Sequence, residues 1–272
     1  MPGYHFKTRQ DVIVQPPEKC SPWVIPEPAP LRHQGPLLRV ENVSAGYVKG
    51  KPILRKVTMN VDQEARIGIV GANGEGKSTL VKVLVGQLSP ESGTVQSHPA
   101  ASVSYFSQDH VEELRSRPAG TTPVGLMLAK RPGAREGEAR AHLSGYGLKG
   151  DAATAPLAGL SGGQLVRVAF ALATFGDSAP HLLVLDEPTN HLDFLTAEAL
   201  LEALRGFRGA VVVVSHDQHF LACAAKEVYL VQGGTARRLE NGVAEYVEQL
   251  TKARVKKTKG KEGRAAGAIL KR

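Results

Sequence analysis

The first regular pattern along the chain is alternation. In LLRVEN (Leu37–Asn42) and VTMNVD (Val57–Asp62) apolar and polar residues take turns, the period of two that buries one face of a strand. These stretches predict two strands of an antiparallel sheet. RIGIV (Arg66–Val70), LLVLD (Leu182–Asp186) and AVVVVSH (Ala210–His216) are apolar almost throughout, the mark of parallel strands covered on both faces. Strand character also returns at Thr94–Ser97 and Ser102–Gln108. Helical spacing is predicted over Ser78–Leu88, across residues 111–175, around Phe194–Phe207 and over Val243–Leu250. Within 111–175, Thr121 and Thr122 offer caps, Pro123 takes a first-turn position, and Glu136–Leu148 reads as a further short helix. A closing strand pair is expected over Leu230–Leu239.

This order predicts an α/β protein with an antiparallel β subdomain and a helical subdomain. Eight prolines from Pro2 to Pro36 mark residues 1–36 as a lead or linker, because proline suits neither helix interiors nor central strands. The regular body is expected over 37–250, with its helical subdomain at about 111–175. Residues 251–272 form a basic tail expected to be disordered.

Composition and charge add three points. No apolar run approaches the roughly 20 residues of a membrane-spanning helix, and no apolar block follows the N-terminus as in a secretory signal. Cys20 and Cys223 lie far apart and provide neither a disulfide framework nor metal-ligand spacing, so a reduced, cytoplasmic setting is expected. The formal net charge of +8 sits wholly in Lys252–Arg272, where nine Lys or Arg face one acid, Glu262. The body is therefore neutral. The tail is read either as a solvated end or as a contact to RNA.

The candidate chemistry begins at GANGEGKST, that is Gly71, Ala72, Asn73, Gly74, Glu75, Gly76, Lys77, Ser78 and Thr79. It fits G-x-x-x-x-G-K-[ST] between a predicted strand and a predicted helix, the context in which that loop cradles phosphates. Its glycines let backbone N–H groups approach the ligand, the helix N-terminus adds positive dipole, and Lys77 reaches the β- and γ-phosphates. Ser78 is expected to offer its hydroxyl to Mg²⁺. Asp186 ends LLVLD and is a candidate metal holder; Glu187, next to it, is a candidate general base for an attacking water. His216 ends another apolar strand, where it can sense a γ-phosphate, and Gln108 can touch both metal and water. All four stand just past the carboxyl ends of strands, where ligands gather in parallel sheets.

A second loop, LSGGQ, opens an apolar helix with Ser161, Gly162, Gly163 and Gln164. Taken with the P-loop, LLVLDEPTNHLD and VSHDQHF, in this order, it makes residues 37–250 resemble an ATP-binding-cassette ATPase. DEPTNHLD followed by VSHDQHFL resembles the ABC-F proteins, the soluble twin-cassette ATPases of translation and ribosome biology, and most closely the second cassette of eukaryotic members. The resemblance implies ATP and Mg²⁺ as ligands and Tyr47 as an aromatic that stacks on adenine. It also implies that Ser161–Gln164 grip the γ-phosphate held by a second cassette. That cassette is the first half of a longer protein if this chain is a fragment, and a second copy otherwise; ribosome or ribosomal RNA is a further expected partner. Two residues depart from the family pattern. Glu75 stands where a small residue is usual, and a carboxylate near phosphates is expected to weaken nucleotide binding. Leu165 replaces a polar or basic residue and is expected to alter the surface of the signature helix. Two alternatives stand beside ATP hydrolysis by paired cassettes. One is the ATPase subunit of a membrane transporter, against which PTNHLD counts, and the other a non-catalytic ATP-dependent module, against which Glu187 counts.

Overall fold

In the computed structural model, residues 23–32, 35–190 and 192–252 are described. The N-terminal stretch with Cys20, residue His191 and the tail from 253 onward lie outside them. The strands sort into two sheets. One is antiparallel, in the order β2-β1-β4, from β1 (Leu38–Ala45), β2 (Leu54–Val61) and β4 (Ser92–Ser97). The other has six strands in the order β5-β6-β7-β3-β8-β9. It comprises β3 (Arg66–Val70), β5 (Val103–Ser107), β6 (Leu182–Asp186), β7 (Ala210–Val214), β8 (Glu227–Gln232) and β9 (Thr235–Leu239). Every neighbouring pair in it is parallel except β8 and β9.

The fully apolar strands owe their composition to two separate cores. Leu183 and Leu185 of β6, with Val211 and Val213 of β7, face the helical side, among Phe106, Tyr146 and Phe170. Leu182 and Val184, with Ala210, Val212 and Val214, face the antiparallel sheet and α1 (Lys77–Leu84), among Leu38, Val40 and Leu80. A strand buried on both faces has no position for a polar side chain, which explains runs such as AVVVV. The alternating β1 and β2 bury one face only, as their pattern predicts.

Helices α2 (Gln108–Arg115), α3 (Pro123–Lys130), α4 (Glu136–Gly145), α5 (Asp151–Thr154) and α6 (Gly162–Thr174) form the helical layer. Thr122 caps α3 by accepting a bond from the Gly125 N–H, with Pro123 at the first position. Helices α7 (Phe194–Gly206), α8 (Gln218–Ala224) and α9 (residues 242–252) complete the chain. Among the described residues no helix is long and apolar enough to cross a membrane.

Three details differ from the sequence pattern. Helix α1 stops at Leu84 rather than Leu88: Gly86 turns left-handed (φ 75°), and the Gly86 and Gln87 N–H groups return to the Val83 and Lys82 carbonyls. That is a Schellman stop. Leu165, expected on the surface of α6, is buried at 6% exposure in the helical-side core, so the apolar residue there adds to packing. Residues 23–31, assigned to the lead, lie extended against the body. The Trp23 ring sits edge-on to Phe170 (centroids 4.9 Å apart) and Tyr146 (5.8 Å), and the Val24 N–H donates to the Gly145 carbonyl at 2.8 Å. Further along, His181 Nε2 lies 2.9 Å from the Ala29 carbonyl oxygen. This strap ties the helical layer to the base of the large sheet.

Trp23→Ala should therefore lower the unfolding free energy by about 3–5 kcal/mol, the usual range for emptying a buried aromatic site. Urea denaturation measures it; a change below 1 kcal/mol, on the order of a surface substitution, would show that the strap does not hold the body.

Candidate functional site

The strand registers align the carboxyl ends of the large sheet. Ser107 pairs with Asp186, Asp186 with Val214 and Val214 with Ile69, so the loops leaving β5, β6, β7 and β3 emerge along one edge. At the end of β3 the backbone passes close to β8: a Cβ on Gly71 would collide with the Val231 carbonyl. The loop then reaches Gly76, left-handed at φ 102°, which starts α1. The first turn of α1 points N–H groups without intrahelical partners toward the cleft.

Lys77 folds back over this loop and donates from Nζ to the carbonyls of Gly71 (2.9 Å) and Ala72 (3.1 Å). Burial pulls its ammonium below the usual lysine range, opposed by the nearby carboxylates of Glu187, Asp186 and Glu75. Asp186 moves the other way. Burial raises it, while a bond from the Ser78 hydroxyl and the charge of Lys77 restrain the rise.

Glu187 follows in a left-handed backbone conformation (φ 51°), uncommon for a residue with a side chain and a form of strain found at functional sites. Its N–H donates to the Val214 carbonyl at 2.9 Å, and its Oε2 accepts from the His216 N–H at 3.3 Å. His216 Nε2 stands 3.4 Å from Oε1 but is not aligned for a hydrogen bond. That buried oxygen has no hydrogen-bond partner among the described residues. Burial raises the Glu187 carboxyl above its ordinary range, against the charge of His216.

These groups line one cleft of about 520 Å³, walled by Asn73, Gly74, Gly76, Lys77, Ser78, Thr79, Asp186, Glu187 and His216, with Ile53 and Asn190. The sequence pattern assigns no role to the last two, although Asn190 stands inside the PTNHLD motif. Asn190 Nδ2 donates to Gln108 Oε1 at 3.0 Å, which brings Gln108 to the rim. The donor set fits a polyphosphate with a hard cation: N–H groups and an ammonium for anionic oxygens, and a hydroxyl beside a carboxylate for the metal. A separate cleft of about 440 Å³ between β5, α2, α3 and α6 contains none of the phosphate-loop residues or paired acids. Of these two clefts, only the first holds the donor set described above.

Other predicted residues stand apart. Tyr47, 57% exposed in the loop after β1, lies outside the cleft wall, and the Lys82 ammonium sits 5.2 Å from its ring centre. Ala72 and Glu75 belong to the loop but do not line the cleft. Ser161–Gln164 do not line it either. They form a capping box, with the Gln164 N–H donating to Ser161 Oγ (3.3 Å) and the Ser161 N–H to Gln164 Oε1 (2.9 Å). Gly162 borders a narrow crevice shared with Gln108, Glu187 and Asn190. The signature loop thus lies beside the acid end of the cleft and is open to solvent.

A mostly parallel sheet carrying a phosphate loop and paired acids at its carboxyl edge, with antiparallel and helical subdomains, defines a P-loop NTPase domain of the ATP-binding-cassette type. Residues 54–190 match the model of the ABC transporter family. The chain is 43% identical over 211 residues to the human ATP-binding cassette sub-family F member 3, an alignment spanning 78% of this chain and 29% of that protein. It is 38% identical to Protein GCN20 of Saccharomyces cerevisiae (86% and 30%) and 38% identical to the probable ATP-binding protein YheS of Escherichia coli (88% and 37%). Among solved structures, the ATP-bound bacterial Atm1-family ABC exporter matches with a TM-score of 0.66 at 21% identity, over 82% of this chain and 41% of that one. The dimeric post-hydrolysis cassette MJ0796, bound to ADP and Pi, matches at 0.63 and 23% identity, over 74% and 97%. These two likenesses concern the fold. The chain belongs to the ATP-binding-cassette family, is similar to its sub-family F members, and spans about three tenths of the length of the first curated relatives it matches.

The close approach at Gly71 gives a direct test. Gly71→Ala should lower the melting temperature by at least about 2–4 °C, since each 1 kcal/mol of strain costs roughly that much in a domain of this size. An unchanged melting temperature would show that the loop can retreat from Val231.

Proposed function

We propose that this chain binds ATP with Mg²⁺ at the Gly71–Thr79 loop and hydrolyses it as one member of a pair of cassettes. The observation that carries the reading is one cleft holding both the buried Lys77 ammonium and a Glu187 oxygen without a hydrogen-bond partner among the described residues. N–H groups of the loop and of the first turn of α1 take the phosphate oxygens, and Lys77 turns from its two carbonyls toward the β- and γ-phosphates. Ser78 and Asp186 would hold Mg²⁺, with Gln108 at the rim, and the bound ion would supply charge neutralisation to those oxygens. Glu187 Oε1 accepts the proton of the attacking water as the water oxygen bonds to the γ-phosphorus. The bond from that phosphorus to the bridging oxygen breaks, and ADP keeps its electron pair. His216 steadies the carboxylate through its backbone N–H and faces the γ-phosphate. Tyr47 stacks on adenine.

Ser161–Gln164 lie outside their own cleft and open to solvent, which supports a role toward a nucleotide held by the partner. One chain then supplies two half-sites. ATP joins the halves, and loss of the γ-phosphate contacts releases them. The partner is a second cassette, in the same longer protein or in another copy. A cytoplasmic, ribosome-associated setting rests on the resemblance to ABC-F proteins.

Lys77→Ala should abolish measurable ATP binding. Glu187→Gln should keep it and lower turnover by about 10²–10⁴-fold, the worth of a positioned base. With ATP and Mg²⁺ the same Glu187→Gln variant should gather into pairs in light scattering, and adding Ser161→Arg should return it to monomers that still bind ATP. Wild-type turnover in Glu187→Gln removes that residue from the mechanism. Full turnover from a strict monomer refutes pairing.

The ribosomal setting is checked separately by co-sedimentation. Glu187→Gln with ATP should pellet with ribosomes, and recovery wholly in the supernatant would refute that partner.

A further inference from the structure

Glu75 breaks the expectation that a carboxylate in the phosphate loop repels phosphate. The residue sits at the loop tip between Gly74 (φ 84°) and Gly76 (φ 102°), yet it does not line the cleft. Its Oε2 reaches away and accepts a 2.6 Å hydrogen bond from the N–H of Gly233, 158 residues further along the chain. Gly233 and Gly234 form the two-residue turn between β8 and β9, both left-handed (φ 59° and 78°), as a tight hairpin of this twist requires. That turn is itself anchored. The Arg55 N–H, at the start of β2, donates to the Gly234 carbonyl at 2.7 Å, and a Cβ on Gly234 would press on the Ile53 carbonyl. The base of the loop is held from the same side, where Gly71 lies against Val231 and its backbone N–H donates to the Tyr246 hydroxyl oxygen.

A loop whose glycines permit many conformations needs something to select one. Here glycines flank Glu75 on both sides, and the local backbone bonds are those from the Glu75 N–H to Ala72 and from the Leu80 N–H to Gly76. The only long-range side-chain bond from Gly74–Gly76 among the described residues is the one to Gly233. The short distance and the charged acceptor place it among the stronger hydrogen bonds.

We propose that Glu75 is a positioning residue for nucleotide binding: its carboxylate ties the phosphate-loop tip to the β8–β9 turn and holds the loop in its anion-binding shape. The inference rests on the ATP-binding reading of this cleft and deepens it. Pre-forming the loop removes an ordering cost that ATP would otherwise meet on binding. It also turns the negative charge outward. The two accounts of Glu75 therefore differ in sign, because removing a repulsive carboxylate tightens ATP binding and removing a strut weakens it.

The test compares Glu75→Ala with Glu75→Gln and has two readouts. ATP affinity by calorimetry should weaken about tenfold in Glu75→Ala, equivalent to about 1.4 kcal/mol. It should stay within about threefold of wild type in Glu75→Gln, whose amide oxygen can still accept from Gly233. In steady state the alanine variant should raise KM with kcat little changed, since Glu75 touches neither the water nor the γ-phosphate. Tighter or unchanged binding in Glu75→Ala overturns the proposal, as does an equal loss in both variants. The second readout needs no nucleotide. In the wild-type chain the Gly233 amide should exchange slowly for a residue at a turn tip, and Glu75→Ala should speed it at least about tenfold. A fast-exchanging wild-type Gly233 overturns the strut without any mutation. A chain that binds no ATP but shows the protected Gly233 amide would instead refute the ATP reading and leave the strut in place.

Discussion

A buried ammonium is the constraint around which this cassette is arranged. Lys77 is 8% exposed, and such a charge is tolerated only where oxygen atoms replace its water. Two loop carbonyls supply direct bonds, and Asp186, Glu187 and Glu75 supply opposite charge. These oxygens come from separate parts of the chain, so the lysine can be buried only if β3 and β6 end at the same level. The registers provide that alignment, since β7 lies between the two strands and its Val214 pairs with both Ile69 and Asp186. The apolar interiors of those strands, covered on both faces, fix the register. The polar cleft thus exists because the sheet beneath it leaves no freedom for a strand to slip.

The same geometry leaves the two glycine-rich loops in different settings. The Gly71–Thr79 loop turns inward and is gripped by its own carbonyls, by β8 and by the β8–β9 turn. The Ser161–Gln164 loop turns outward, and its polar groups satisfy one another in a capping box. An outward-facing helix N-terminus with its cap already closed costs nothing to keep exposed. It is therefore unstrained as it stands. Glu187 is in the opposite condition, with a left-handed backbone and one buried oxygen lacking a hydrogen bond among the described residues. Glu187 thus carries a backbone strain that the capped turn at Ser161 does not.

Much of this is legible in the residues. Period-two and fully apolar segments identify both sheets, and the placement of Lys77, Asp186 and His216 at strand ends identifies the cleft. What escapes the pattern has specific causes. Leu165 is apolar within a helix whose exposed face cannot be told from its buried one without knowing where α2 and β5 lie. Trp23 is hidden among prolines, which signal extended chain and say nothing about whether that chain is docked. Asn190 stands in a recognisable motif, but its bond to Gln108 joins residues 82 positions apart. Glu75 misleads for a related reason: a charge near a phosphate loop is judged repulsive unless its partner is known, and Gly233 carries no side chain to advertise the contact.

That last point bears on how the site is built. The family match ends at residue 190, before His216, Val231, Gly233 and Tyr246. Yet these four residues supply the histidine, the backbone against which Gly71 is pressed, the anchor of Glu75 and the hydroxyl on Gly71. The tip of the phosphate loop is thus gripped by chain 158 residues downstream. A loop rich in glycine carries little shape of its own, so its geometry is a property of the completed sheet. The pairing of β8 with β3, and of β9 with β8, therefore places the backbone groups that hold this loop.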